Sequence, residues 1–229
     1  MGTSKSKDPR IRVSEPSRQR ELIGLWLKVF TVIAIIASLV HIWMNSFSLT
    51  VAIKRNAVHL AFMLGMTYLT YPASSKSPRD RFTWADGILA ALSAMVGFYI
   101  YIAYDGLVAR ALVPVPLDYF MGALAVILVL EGARRSTGNI LPVLAIVFLL
   151  YARFGYLIPG PLGHRGFSWA RIITRMYMTD EGLFGVTLMV SASYVFMFIL
   201  FGAFLSKTGT AKFFNDFAMG LAGRLKNKP

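Results

Sequence analysis

Long apolar runs alternate with short polar ones along most of this chain. The clearest run is Leu183–Leu205, 23 residues without a charge. As a helix rising about 1.5 Å per residue it crosses the roughly 30 Å hydrocarbon core of a bilayer. Gly185, Ser191, Ala192, Ser193, Gly202 and Ala203 are set among its large apolar residues. Lipid provides no hydrophobic drive between helices, so close packing there needs small residues. Five further runs have spanning character. Gly24–Met44 carries Lys28 one turn in, where it can snorkel. Ala57–Tyr71 is short, preceded by Lys54 and Arg55 and stopped by Pro72. Ile88–Tyr104 follows Trp84 and Asp86 and closes on the aromatic belt of Tyr99, Tyr101 and Tyr104. Only 12 uncharged residues separate Asp118 from Glu131, so that helix takes in one or both acids or is partly buried in protein. Ile140–Ile158 reaches full length by accepting Arg153, and Gly155 and Gly160-Pro161 break the chain at its end.

Two more segments repeat with a helical period but are amphipathic. Ser168–Met178 sets Ile172, Ile173, Met176 and Tyr177 against Arg171 and Arg175. Thr210–Leu225 sets Phe214, Phe217, Ala218, Leu221 and Leu225 against Lys212, Asn215 and Asp216. Both read as interfacial helices that cap the membrane surface of their own domain. The expected fold is therefore an all-α integral membrane protein of about six transmembrane helices plus two interfacial ones.

Composition narrows the reading further. Hydrophobic residues make up 56% of the 229 and charged residues only 15%, against about 25% charged in soluble domains. The absence of cysteine removes disulfides, thiolate metal sites and thiol nucleophiles. The formal charge of +13 is spread over loops that flank spans rather than gathered in one patch with stacking aromatics, so a nucleic-acid partner is not expected. The basic tail before the first run is 23 residues long and no small-residue cleavage site ends that run, so the first span is expected to stay. With six spans and the N-terminus in the cytoplasm, 17 of the 24 Lys and Arg face the cytoplasm. The positive-inside rule then puts both termini there.

Candidate chemistry is sparse. No H-E-x-x-H, G-x-S-x-G, Walker or Rossmann pattern occurs, and an enzyme is not expected. The three histidines, His41, His59 and His164, are far apart in sequence and read as packed or interfacial rather than as metal ligands. The ionisable residues near predicted helix ends are Asp105, Asp118, Glu131 and Arg153. Glu131 has Arg134 and Arg135 at i+3 and i+4, the spacing of an ion pair on one helix face, which favours a structural role over an ion relay. Asp118 follows Pro114-Val115-Pro116, a helix start, and reads as a cap, as does Asp105.

One stretch carries a family resemblance. EGLFGVTLMVSASYVFMFILFGAFLSKTG, followed by FFNDFAMGLAGRLK, resembles the start of the large permease domain of a TRAP (tripartite ATP-independent periplasmic) transporter. Upstream, LEGARRSTGNILPVLAIVFLLYARFGYLIPGPLGHRGFSWARII is similar to the fused 4TM/12TM permeases that pair with TAXI-type solute-binding proteins. The resemblance spans about Gly24–Lys226 and is specific from about Leu130 onward.

It implies a permease component of the bacterial inner membrane. A periplasmic binding protein would deliver a small organic acid, which enters on a sodium or proton gradient. It also implies a basic tail over residues 1–23, a small four-span domain over 24–135 acting as a scaffold, a linking span and periplasmic loop over 136–167, and the start of the large domain over 168–229. Gly182, Gly185, Ser191, Ser193, Gly202 and Gly209 would pack the first large-domain helix. No cofactor is implied besides the coupling ion, whose site is expected outside this chain. In the family a glycine-rich stretch follows GRL, whereas here Gly223-Arg224-Leu225 is followed by Lys226-Asn227-Lys228-Pro229. The remaining large permease domain is thus an expected partner, beside the binding protein and the bilayer, and this chain is not expected to transport alone. The alternative is a non-transporting membrane scaffold or assembly subunit of a larger complex.

Overall fold

The computed structural model describes residues 19–110 and 113–226. Among them every regular element is helical: α1 Gly24–Ser46, α2 Ala52–Thr70, α3 Trp84–Ala109, α4 Pro116–Thr137, α5 Ile140–Phe154, α6 Trp169–Tyr177, α7 Val186–Val190, α8 Phe196–Lys207 and α9 Thr210–Lys226, with a 3-10 turn at Gly155–Leu157. A π-helical segment, Ser191–Val195, joins α7 to α8, so Val186–Lys207 runs as one helix. The last span begins three residues later than its apolar run, because Gly182 and Gly185 sit in the turn before it. Most of the basic tail lies outside the described residues.

Five helices are long and apolar enough to cross a membrane: α1, α3, α4, the α5 run Ile140–Leu157, and Val186–Lys207. The remaining predicted span, Ala57–Tyr71, falls within α2, which at 19 residues is long enough. Lys54, Arg55, Asn56 and His59 lower its apolar character. The reason is its place in the bundle. Asn56, His59, Ala57, Ala61, Leu64 and Tyr68 are all buried, so protein rather than lipid meets its polar groups. The chain is thus an all-α membrane protein, crossed by fewer purely lipid-compatible helices than its hydropathy suggests.

α2 and α3 pack closest. A Cβ built on Gly97 would come within 2.5 Å of Ala61 Cβ and 2.6 Å of the Ala57 carbonyl. Ala57 and Ala61 are one turn apart, so their small side chains form a groove that admits only a glycine, the small-residue packing of membrane helices. Around this contact gathers a core of Ile53, Leu60, Leu64, Tyr68, Val96, Ile100, Met121, Ala125, Leu128, Tyr177 and Phe184. The Tyr68 hydroxyl donates to the Leu128 carbonyl at 2.6 Å, which ties α2 to α4.

α3 starts at Trp84, four residues ahead of the predicted Ile88. Thr83 caps it and Asp86 closes a capping box, with the Thr83 N–H donating to Asp86 Oδ2 at 3.0 Å. α6 has the predicted amphipathic pattern, with Ser168 accepting from the Arg171 N–H as its N-cap. Its apolar side packs on the bundle: Tyr177 is fully buried and its hydroxyl donates to the Val96 carbonyl. α5, α8 and α9 contrast with this unit. Val143, Phe148, Phe198, Ile199, Phe201, Phe214 and Phe217 are all exposed.

Candidate functional site

Polar groups gather at three places. The first is an ionic network at the end of the bundle where α2 stops and α3 starts. Glu131 accepts from Arg134 Nε at 2.7 Å and from Arg135 Nε at 2.7 Å, the one-face pairing that its i+3 and i+4 spacing predicts. The network extends well beyond that pair. Arg135 Nη1 reaches Asp86 Oδ1 at 2.6 Å, and Arg20 Nη2 reaches Asp86 Oδ2 at 2.6 Å. Arg20 also donates to the carbonyls of Tyr68, Leu69 and Pro78, and the Arg135 guanidinium lies 4.9 Å from the Tyr68 ring centre. Asp86, Arg20 and Arg135 are buried. A carboxylate out of water is tolerable here because two guanidinium groups and a cap hold its lone pairs.

Arg20 belongs to the segment read as a basic tail over residues 1–23. It instead runs into the bundle, with its N–H donating to the Thr70 carbonyl at 2.9 Å and the Glu21 N–H to the Arg79 carbonyl at 3.0 Å. The part of that tail before Gln19 lies outside the described residues. Sequence spacing misses Arg20 and Asp86 because 66 residues separate them.

The second group closes the opposite end. Asp118 accepts from the Val115 N–H at 2.8 Å, from Arg110 Nη2 at 2.9 Å and from the Tyr99 hydroxyl at 2.5 Å. Asp105 pairs with Lys54 at 2.6 Å. Asp118 therefore caps α4 and also links it to α3, whereas Asp105 joins α3 to the start of α2.

The third group is buried between α1, α2 and the π segment. His41 and His59, read as packed or interfacial and far apart in sequence, face each other with His41 Nε2 2.8 Å from His59 Nδ1. His41 Nδ1 lies 2.6 Å from the Ala37 carbonyl, and His59 Nε2 lies 3.0 Å from Ser191 Oγ. Phe196 stacks on the His41 ring, centroids 4.1 Å apart. Asn45 Nδ2 donates to the Ala192 carbonyl at 3.0 Å, and Asn56 Nδ2 donates to the Phe184 carbonyl at 2.8 Å. The final span is thus held to the first two helices by polar contacts at its π segment. π segments inside α-helices concentrate at functional positions.

A signal for the histidine pair exists in the sequence. His41 and His59 lie nine residues to either side of Thr50, in the turn between α1 and α2. An antiparallel helix pair puts such positions at one depth. His164 stays apart, packed on Tyr151 and Phe167.

The proposed packing residues have different surroundings. A side chain at Gly182 would run into the Met176 backbone, and one at Gly185 would come within 3.0 Å of the Gly182 carbonyl. Both therefore fix the turn ahead of the span, not its helical face. Ser191 meets His59, while Ser193 Oγ is buried with no hydrogen-bond partner among the described residues. Gly202 has nothing within 4 Å of its Cβ position, and Gly209 takes φ +76° at the break between α8 and α9. Beside this arrangement, a cavity of about 1000 Å³ opens between α4, α5 and α6, with Arg171 and Arg175 on its wall. Among the described residues no group of three or more His, Asp or Glu side chains could hold a metal.

Residues 124–228 match the family model of the tripartite ATP-independent periplasmic transporter, DctM component. No curated protein and no solved structure matches the chain. The match begins inside α4, a helix that the Tyr68 and Asp86 contacts bind to α2 and α3. The similarity therefore has no structural break at its N-terminal edge. The matched family is one of permeases rather than enzymes, and it works with a periplasmic solute-binding protein. Over just under half of its length, this multi-pass membrane protein is similar to the permease component of a TRAP transporter.

Proposed function

We propose that this chain is a membrane permease component of a binding-protein-dependent secondary transporter of the fused 4TM/12TM, TAXI-partnered TRAP type. The observation that carries the reading is the family match over residues 124–228, which begins within α4, a helix packed on α2 and α3. In this reading α1–α4 form a scaffold beside the transport domain, α5 is the linking span, and Val186–Lys207 is the first helix of the large domain. The chain sits in the bacterial inner membrane with both termini cytoplasmic. The transported class is small organic acids, moved inward on a sodium or proton gradient with no other cofactor. The remaining large permease domain supplies the coupling-ion and substrate sites. Of the six candidate packing residues, Gly182 and Gly185 set the turn that opens that domain, Ser191 and Ser193 lie on the packed side of its first helix, and Gly202 and Gly209 would meet the remaining large domain.

Uptake in proteoliposomes tests this. The chain is reconstituted with a TAXI-type binding protein and an imposed sodium or proton gradient, with and without the large-domain polypeptide. Uptake only when that polypeptide is present supports the scaffold-plus-first-helix reading. Uptake without it overturns the division of labour. Uptake by the large-domain polypeptide that is unchanged when this chain is left out favours a non-transporting scaffold or assembly subunit.

A further inference from the structure

We infer that His41 and His59 form a binding site for a single proton, whose occupancy is passed through Ser191 to the π segment of the last span. The directions of the hydrogen bonds carry the argument. The Ala37 carbonyl can only accept, so His41 Nδ1 holds a hydrogen and donates across 2.6 Å. In a neutral ring His41 Nε2 then has a free lone pair. His59 Nδ1, 2.8 Å away, must therefore donate to it. That leaves His59 Nε2 as an acceptor, so Ser191 Oγ–H donates to it across 3.0 Å. One tautomer of each ring satisfies the whole chain.

One added proton fits this chain, and a second does not. A proton taken from water onto His59 Nε2 makes that ring an imidazolium. Its Nδ1–H still donates to His41, and its new Nε2–H now points at Ser191 Oγ. Passing the Nδ1 hydrogen to His41 Nε2 gives the other form with the same net charge, so the 2.8 Å contact keeps one shared hydrogen in either case. A second proton would set N–H against N–H across that contact and break it. The cost of the first proton falls on Ser191. Its hydroxyl must turn from donor to acceptor, and its hydrogen then seeks another partner. In a helix that partner is a carbonyl of the preceding turn, a bond that bends the helix. Ser191 opens the π segment, where the backbone pattern already departs from α.

Charges on the packed elements leave the pair isolated. On α1 the charged side chain is Lys28, about 20 Å along the helix from His41. On α2 they are Lys54, held by Asp105, and Arg55, a cation one turn before His59. From α7, the π segment and α8 the facing groups are Ser191 and the Phe196 ring, and the first charge is Lys207. Phe62 supplies another ring beside His41. Among the described residues, no carboxylate hydrogen-bonds or ion-pairs with either histidine, so the proton is held by the rings and Ser191 alone.

The site belongs to this chain's own helices, and its test needs no transport activity. The full chain, labelled with 15N-histidine in phosphatidylcholine nanodiscs, is followed by NMR from about pH 8 down to about pH 3.5, because burial disfavours a charged ring. Hydrogen–deuterium exchange of residues 186–207 is measured in parallel. The expected result is uptake of one proton by the His41–His59 pair with both rings responding together, while His164 titrates separately. A pH step in the exchange of 186–207, about fivefold in rate, should accompany it. Ser191→Ala, which alters one small side chain, should keep the uptake and abolish the step. Two independent single-proton uptakes, no uptake over this range, or a step unchanged in both Ser191→Ala and His59→Gln would overturn the inference.

Discussion

The packed unit of α2, α3 and α4 and the stretch from α8 to α9 are both rich in apolar residues, yet they use them in opposite ways. In α2 and α3 the apolar surface is turned inward and the helices approach through Gly97, Ala57 and Ala61. Their ends are then closed by Asp86, Arg135, Asp118 and Arg110. In α8 and α9, Phe198, Phe201, Phe204, Phe213, Phe214 and Phe217 are exposed, and Gly202 meets open space. Hydropathy cannot separate the two, because it scores a lipid-facing phenylalanine and a core phenylalanine alike. What separates them is polar chemistry. Buried ionisable groups in a membrane are expensive and persist only where partners are fixed, so the helices that carry them are the ones bound into a unit.

The largest effect that would break this comparison is expected at Asp86. Asp86→Asn takes the counter-charge from buried Arg20 and leaves Arg135 with Glu131 alone, and should destabilise the unit by about 3–5 kcal/mol, measured by denaturant or thermal unfolding in detergent. A loss under about 1 kcal/mol would mean the network does not hold the helices. Next comes Gly97→Val, which forces α2 and α3 apart and should cost roughly 1–3 kcal/mol in the same assay. Glu131→Gln should cost less, about 1 kcal/mol, because Glu131 is partly exposed and Arg135 keeps Asp86. If a reconstituted permease lost all ion coupling on that one change, Glu131 would be a relay and not a structural partner. The smallest effect is expected at Gly202. Gly202→Leu should change the stability of the chain by no more than about 0.5 kcal/mol. A drop in co-purification with the large-domain polypeptide, at unchanged stability, would sharpen the comparison by identifying this face as an interface.

Much of the helical layout was legible in the sequence, because a span of apolar residues and a capping serine or proline are local signals. Ser168 announced α6, and the Glu131, Arg134 and Arg135 spacing announced its own ion pair. The Asp86 contacts were not legible, since Arg20 and Arg135 arrive from 66 and 49 residues away. α2 was undervalued for a related reason. Its span was read from Ala57, after the polar residues, and Asn56 and His59 find their partners only once Phe184, His41 and Ser191 surround them. The break in the last span was hidden as well, because a π segment leaves no mark in hydropathy.

The position of Asp86 also bears on how such a chain is made. One of its two partners precedes the first span, and the other lies at the end of α4. A ribosome delivers Arg20 early and Arg135 only after four helices have been synthesised. Insertion of the helices and locking of the unit are therefore separate events. Until α4 is in place, the third helix waits in the membrane with half of its carboxylate unmatched, and that interval is when an insertase or a quality-control protease could still act on it.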